Sequence, residues 1–220
     1  MLRKTMIVFI LLPLSCWSAG FYAGAGAGPD IIDFKQYAFI RSQHTPPNFD
    51  VIDKTHKTGK GVFGSLFAGH GWQHGCWYLA AETNVNVSTV EFDSANNEYV
   101  NLNITDTTFE MPYSYGLSAL PGFLFSETFL FYGRAGYVNG RFKITTRDNS
   151  LASIHRNLGG FRAGLGMNQK FTEHLVLRME YSYLHYKKTT FAVLNNETLK
   201  TTTITPTGNL VEFGVVYNLS

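Results

Sequence analysis

The C-terminal residues 209–219 alternate between apolar and polar or small side chains. The apolar members share one face at a period of two: Val211, Phe213, Val215, Tyr217 and Leu219. In a water-soluble sheet this face would pack on a core. Charge and glycine recur on the opposite face here and in several other segments of the chain. This pattern favours a barrel with lipid outside and polar side chains inside.

The same alternation predicts eight strands joined by connections of two lengths. The predicted strands are 21–28, 61–72, 77–87, 113–124, 129–144, 160–171, 175–186 and 209–219. Short turns are expected at 73–76, 126–128 and 172–174, and long polar loops at 29–60, 88–111, 149–158 and 195–208. Short and long connections that alternate are typical of outer-membrane barrels, whose periplasmic turns are short.

Composition supports a lipid-facing surface. Charged residues make up 15% of the chain, against roughly 25% in soluble proteins. A soluble ligand-binding barrel of the lipocalin type also has eight up-and-down strands, but its interior is apolar and its exterior must be wet. Here the charged face is also the glycine-rich face. We therefore predict an all-β fold, an eight-stranded antiparallel up-and-down transmembrane β-barrel.

Residues 1–18 are predicted to be a cleaved signal peptide, followed by one barrel domain over 19–220. Arg3 and Lys4 precede the apolar run from Met6 to Leu14. That run is nine residues long, short of the roughly 20 that a spanning helix needs. Small residues at positions −3 and −1 predict cleavage before Ala19. A lipoprotein signal at Cys16 is the alternative, although the residues before it depart from that motif.

Processing would change the charge and the cysteine content. Loss of Arg3 and Lys4 removes two of 18 basic residues and leaves 16, equal to the 16 acidic residues. The mature chain is therefore formally neutral, which gives no reason to expect a nucleic-acid partner. Cys76 would be the single remaining cysteine, so an intrachain disulfide is not expected.

Six charged residues of the predicted strands fall on the inward face: Glu82, Arg134, Arg162, Arg178, Glu180 and Glu212. An eight-stranded barrel is just wide enough for side chains to fill it. Buried charges must pair or cost several kcal/mol of desolvation. We predict a structural cluster of ion pairs that plugs the interior. A gated ion path or a proton relay is the alternative.

Pro121 is unexpected inside a predicted strand. A closed barrel has no free edge, so the missing N–H removes a ladder hydrogen bond unless a bulge absorbs it. We therefore expect a bulge near Pro121, towards the short-turn end of the strand.

The sequence gives little sign of catalysis. A lipid-modifying barrel enzyme would need a histidine, a serine and a carboxylate close together. His155 lies near Ser150 and Ser153, but spacing alone is a weak signal. His70 and His74 would be about 13 Å apart in a strand, too far to share a metal ion. No catalytic, cofactor-binding or metal-binding residue is predicted, and no cofactor.

Charge is distributed unevenly over the predicted loops. Residues 89–111 are acidic and contain no lysine or arginine. Basic residues cluster in and around the third and fourth loops: Lys143, Arg147, Arg156, Lys187, Lys188 and Lys200. Arginine and lysine suit phosphate groups, so the first five of these are candidate contacts to lipopolysaccharide. Ordinary solvated loops are the alternative.

Several segments resemble the OmpA-like and opacity-protein group of eight-stranded outer-membrane barrels. They are Phe21–Gly26, Trp77–Glu82, Tyr132–Tyr137, Phe161–Gly166 and Leu177–Tyr181. The resemblance implies export to the bacterial outer membrane, with periplasmic chaperones and the barrel assembly machinery as partners. Members of the group end in an aromatic residue, whereas this chain ends in Leu219-Ser220. The peptidoglycan-binding domain of full-length OmpA has no counterpart here, so its tethering role is not expected.

These observations together predict a non-enzymatic outer-membrane barrel. Its expected role is structural, supporting envelope integrity, with adhesin-like surface interactions through four long extracellular loops. Outer-membrane lipids, lipopolysaccharide and host surface ligands are the expected partners. A narrow pore for small solutes or ions is the alternative, followed by an enzyme that modifies lipid A.

Overall fold

The computed structural model describes residues 18–42, 50–94, 107–146, 154–195 and 198–219. The strands are β1 (Ser18–Ser42), β2 (Asp50–His74), β3 (Trp77–Ser88), β4 (Glu91–Ser94), β5 (Thr107–Ser126), β6 (Phe129–Thr146), β7 (Ile154–Lys170), β8 (Leu175–Tyr186), β9 (Thr189–Asn195) and β10 (Thr198–Asn218). No helix long and apolar enough to cross a membrane occurs among these described residues. The predicted signal peptide, apart from Ser18, lies outside them.

The strands close into an eight-stranded antiparallel barrel. Neighbours follow the order β1-β2-β3-β5-β6-β7-β8-β10, and β10 pairs with β1 to close the ring. Two short strands extend this wall, because β4 continues beyond β3 on the edge of β5 and β9 continues beyond β8 on the edge of β10. The predicted fold class is confirmed.

The three predicted short turns are confirmed, and the four long loops are wrong in extent. The first predicted loop, 29–60, instead continues β1 and β2, which stay paired up to Arg41 and Asp50. The other three predicted loops, 88–111, 149–158 and 195–208, are partly occupied by β4 and by the starts of β5, β7 and β10. Above a membrane both faces of a strand can be exposed to water. Polar side chains in that region therefore do not mark the end of a strand.

The strand extensions divide into two sheets, which we call the crown. One sheet has the order β2-β1-β10-β9, with Ser42 of β1 opposite Thr198 of β10. The other has the order β4-β5-β6-β7, with Glu91 opposite Glu110. Phe34 from the first sheet contacts two rings of the second, Phe109 at 6.0 Å and Phe142 at 6.4 Å between centroids. Aromatic packing therefore joins the two sheets at the base of the crown.

Outside, the wall is apolar. Large side chains that alternate with the buried ones are exposed: Phe21, Val62, Leu66, Val85, Leu117, Phe131, Tyr137, Phe161, Leu165, Phe213 and Val215. Leu165 is 72% exposed, which would be unfavourable in water and suits a lipid-facing surface.

Inside, two apolar layers enclose a polar middle. The lower layer, near the short turns, contains Tyr22, Phe67, Ala80, Leu120, Tyr132, Val176 and Val216. The upper layer, at the base of the crown, contains Ile32, Phe34, Phe63, Val90, Phe109, Met111, Val138, Phe142, Leu158, Leu184, Tyr186, Ile204 and Leu210. The interior, which the sequence predicts to be polar, is therefore polar in its middle and apolar at both ends.

The bulge expected at Pro121 is not present. Ala119 pairs with Ala135 and Gly122 pairs with Tyr132, so β5 and β6 keep one register across the proline. Pro121 itself stays paired with Leu79 on the other neighbour, β3. The ladder to β6 loses the pairs at 120 and 121 instead of shifting. Register shifts in this strand pair lie elsewhere, between Glu110 and Tyr113 and between Leu124 and Ser126.

Candidate functional site in the barrel interior

Glycines on the inward face make room for neighbouring side chains of the interior. A Cβ atom at Gly26 would lie 2.7 Å from Cγ of Glu212, and one at Gly164 would lie 2.8 Å from Oγ of Ser182. Both separations are shorter than a van der Waals contact. At these two positions a side chain larger than that of glycine would force Glu212 or Ser182 to move within the filled interior.

Glu82 on β3 is one of two carboxylates at the centre of the interior. It accepts hydrogen bonds from Arg134 Nη2, from Arg178 Nη1 at 2.8 Å and from the Tyr22 hydroxyl at 2.9 Å. The side chains of Glu82, Arg134 and Arg178 are at most 1% exposed. Charge-assisted hydrogen bonds of this kind are stronger than neutral ones.

Glu180 on β8 is the second central carboxylate. Arg134 Nε lies 2.8 and 2.9 Å from its two oxygens, and Arg162 Nη2 lies 2.9 Å from Oε1. The hydroxyls of Tyr132 and Ser182 each donate to it at 2.7 Å. Arg134 therefore bridges the two carboxylates and connects β3, β6 and β8 across the barrel.

Arg178 also lies among aromatic rings of the lower layer. Its guanidinium carbon is 4.3 Å from the centroid of Phe67, 5.4 Å from that of Tyr132 and 5.8 Å from that of Tyr22. These are cation–π distances. The charged middle and the lower apolar layer are thus packed against each other.

The sixth predicted residue, Glu212 on β10, lies beside this network. It is 2% exposed and is the direct cross-strand partner of Glu180. Its Oε1 atom has no hydrogen-bond partner, and no ion pair to it occurs in the part of the chain that the structure describes. The structure therefore brings five of the six predicted residues into one network, which we call the ion-pair network, and leaves Glu212 adjacent.

Sequence reasoning missed the hydroxyl donors of the network. Tyr132 is two residues from Arg134 on β6 and therefore lies on the same inward face. Tyr22 likewise lies on the same face as the inward glycines of β1. This alternation along each strand was enough to place both tyrosines inside the barrel. It was overlooked because aromatic residues in a membrane barrel are expected on the lipid-facing side and at its rims.

The basic residues predicted to contact lipopolysaccharide have different environments. Lys143 forms an ion pair with Glu110 at 3.0 Å, whereas Arg156, Lys187 and Lys188 are exposed. Arg147 lies outside the described residues. The sequence analysis also missed Arg141, which donates to the Tyr113 hydroxyl at 3.0 Å on the outward face.

Of the weak catalytic candidate, the structure describes His155 alone. His155 is exposed at the start of β7, and Ser150 and Ser153 lie outside the described residues. Among the side chains that the structure describes, no group of three histidine, cysteine, aspartate or glutamate residues could hold a metal ion.

A closed eight-stranded barrel, apolar outside and charged within, defines an outer-membrane barrel protein. The chain belongs to the outer membrane protein β-barrel domain family, whose sequence model matches residues 6–217. Its location is the bacterial outer membrane, and the resemblance to the OmpA-like and opacity group is confirmed. No curated protein sequence matches the chain.

Solved structures show the same fold. OprG from Pseudomonas aeruginosa is 13% identical, with a TM-score of 0.57 over 91% of this chain and 96% of that one. The outer membrane protease OmpT from Escherichia coli is 10% identical, with a TM-score of 0.50 over 91% and 97%. Neisserial surface protein A is 18% identical, with a TM-score of 0.46 over 91% and 98%. At these identities the likeness to OprG and OmpT establishes the fold and says nothing about activity.

Proposed function

We propose that this protein is a closed, non-enzymatic barrel with a structural role in the outer membrane. The observation that carries the proposal is the filling of its interior: the ion-pair network lies between two apolar layers. A solute would have to displace buried side chains in all three layers. The filled interior therefore favours a structural plug over the alternatives of a narrow pore or a proton relay.

The second part of the proposal concerns the outer rim of the wall, where basic side chains would bind lipopolysaccharide phosphates. We call this set the basic belt: Arg141, Lys143, Arg156, Lys187 and Lys188. Arg141 and Lys143 share the outward face of β6 with the exposed ring of Tyr137. The Lys187 amide donates to the Gly159 carbonyl at 2.8 Å, which holds the start of the β8–β9 connection against β7.

This arrangement suits the chemistry of an outer leaflet. Aromatic side chains in membrane barrels lie at the interfaces. Tyr113 lies directly opposite Arg141 of the basic belt, and the pair Tyr137 and Phe161 lies nearer the membrane on the same outward face. Guanidinium and ammonium groups at or above the level of such aromatic rings are close to lipid phosphates, which they bind well. The crown above the belt is the part of the chain that would contact host or neighbouring surfaces.

Charge reversal tests the basic belt. The triple variant Arg141→Glu, Lys187→Glu, Lys188→Glu should retain roughly tenfold less lipopolysaccharide, because each exposed contact contributes about 0.2–1 kcal/mol and reversal adds repulsion. The measurement is the amount of lipopolysaccharide that copurifies with folded protein extracted from outer membranes in mild detergent.

Lys170→Glu is the matched control, because Lys170 is exposed at the opposite end of the wall, beside a short turn. It should retain the wild-type amount. Equal retention by the triple variant and the control would refute the role of the belt and leave the closed barrel untouched.

A further inference from the structure

A small enclosed cavity lies where the polar middle of the interior meets the upper apolar layer. Its volume is about 10 Å³, and both polar and apolar side chains line it. Asp30, Asn86, Ser114 and Tyr186 contribute polar groups, and Phe63 and Leu210 are among the apolar walls. The proposed structural role does not involve this cavity.

Asp30 on β1 presents an unsatisfied oxygen at this place. The residue is 1% exposed, and its Oδ2 atom accepts a hydrogen bond from Ser88 Oγ at 2.6 Å. The other oxygen, Oδ1, is buried without a hydrogen-bond partner. In the described part of the chain no lysine or arginine pairs with it. A buried carboxylate in this state is strongly unfavourable unless another group binds it.

Tyr186 on β8 presents a second unsatisfied atom. The residue is 0% exposed, and its hydroxyl has no hydrogen-bond partner of normal geometry, although Ser114 and Asp30 are nearby. The ring is held by an edge-on contact with Phe142 at 5.2 Å between centroids. Tyr186 therefore cannot turn its hydroxyl elsewhere without breaking apolar packing.

We propose that this cavity holds one water molecule, which bridges Asp30 and Tyr186. A cavity of this size accommodates a single water, and buried waters typically satisfy otherwise unpaired polar groups. The donors and acceptors match, because the Tyr186 hydroxyl donates to the water and the water donates to Asp30 Oδ1. The second water hydrogen can be accepted by Ser114 Oγ. A calcium ion is a poorer fit, because the lining contains a single carboxylate, Asp30, to balance the charge of the ion.

The water would connect two strands that do not pair with each other. β10 lies between β1 and β8 in the wall, so Asp30 and Tyr186 have no backbone ladder in common. A bridging water at this level would join them directly beneath the upper apolar layer. It would therefore be a long-lived part of the structure that exchanges only slowly with bulk solvent.

A high-resolution crystal structure of the full chain tests the proposal. We expect one density peak within about 2.6–3.2 Å of both Asp30 Oδ1 and the Tyr186 hydroxyl. An empty cavity, a direct hydrogen bond between the two side chains, or a peak with metal–oxygen distances would each overturn it.

Tyr186→Phe provides a second test in solution, because it removes one hydroxyl and keeps the ring. Magnetic relaxation dispersion of ¹⁷O-labelled water should count one fewer long-lived water in this variant than in the wild type. Tyr115→Phe is the matched control, since Tyr115 lies on the outward face and is 49% exposed. It should leave the count unchanged. Equal counts in the two variants would overturn the proposal.

Discussion

Arg134→Ala should lower the free energy of unfolding by about 3–5 kcal/mol, the usual loss when one partner of a buried ion pair is removed. Among the described residues, Arg134 is the single side chain that bonds to both Glu82 and Glu180. Its removal leaves each carboxylate with an unfilled bonding position in a place that water does not reach. The measurement is guanidinium-induced unfolding in lipid vesicles, followed by the fluorescence of Trp72 and Trp77.

Arg141→Ala is the control for this prediction, because Arg141 lies on the outward face and contacts Tyr113. It should change the unfolding free energy by less than about 1 kcal/mol. Arg134→Lys should fall in between, since lysine keeps the charge and loses the two-pronged geometry. A loss for Arg134→Ala no larger than that for Arg141→Ala would show that the ion-pair network does not stabilise the barrel.

Phe142→Ala should also cost about 3–5 kcal/mol, as large aromatic truncations in packed cores do. Phe142 is 5% exposed and contacts Tyr186 on one side and Phe34 on the other. The truncation would leave a void between the two sheets of the crown. The same unfolding experiment measures the loss.

Two variants separate packing in the interior from a general effect of removing an aromatic ring. Phe142→Leu preserves most of the volume and should cost under about 1.5 kcal/mol. Phe161→Ala removes a ring that faces outward, where lipid can fill the space, and should cost less than Phe142→Ala. If Phe161→Ala proved as destabilising as Phe142→Ala, the upper apolar layer would not be a packed core.

The sequence was sufficient to predict the barrel wall because a lipid-facing strand must alternate. Outward positions within the membrane, such as Leu165 and Phe213, must be apolar. The resulting period of two is therefore easy to recognise in the sequence. The short turns were equally clear, because Gly75 supplies the positive φ of 58° that its tight turn requires.

The crown was not predictable from the same pattern. Above the membrane the outward face can be polar, so residues such as Asp33 and Lys35 interrupt the apolar alternation while Ile32 and Phe34 still point inward. In the crown, alternate residues are apolar and point inward, but the outward residues between them do not form an apolar, lipid-facing surface. Such a sequence looks like that of a loop. The upper apolar layer was missed for the same reason, because Ile32 and Phe34 fall in a predicted loop.

The five charged members of the ion-pair network were predictable, although the prediction also included Glu212 and missed the hydroxyl donors. The pairing within the network was not predictable. The alternation of inward and outward residues along each strand placed Glu82, Arg134 and Glu180 inside the barrel. Which carboxylate each arginine reaches depends on the stagger between strands that are distant in the sequence, and a single sequence contains no record of that stagger.

Planar-bilayer recording of the folded wild-type protein tests the closed interior most directly. Folding is verified first by the faster migration of the unboiled protein on a gel. We expect no conductance steps above the baseline of the lipid alone, because side chains of three layers fill the passage. Reproducible steps that scale with salt concentration and disappear when the protein is unfolded by heat would contradict the closed barrel.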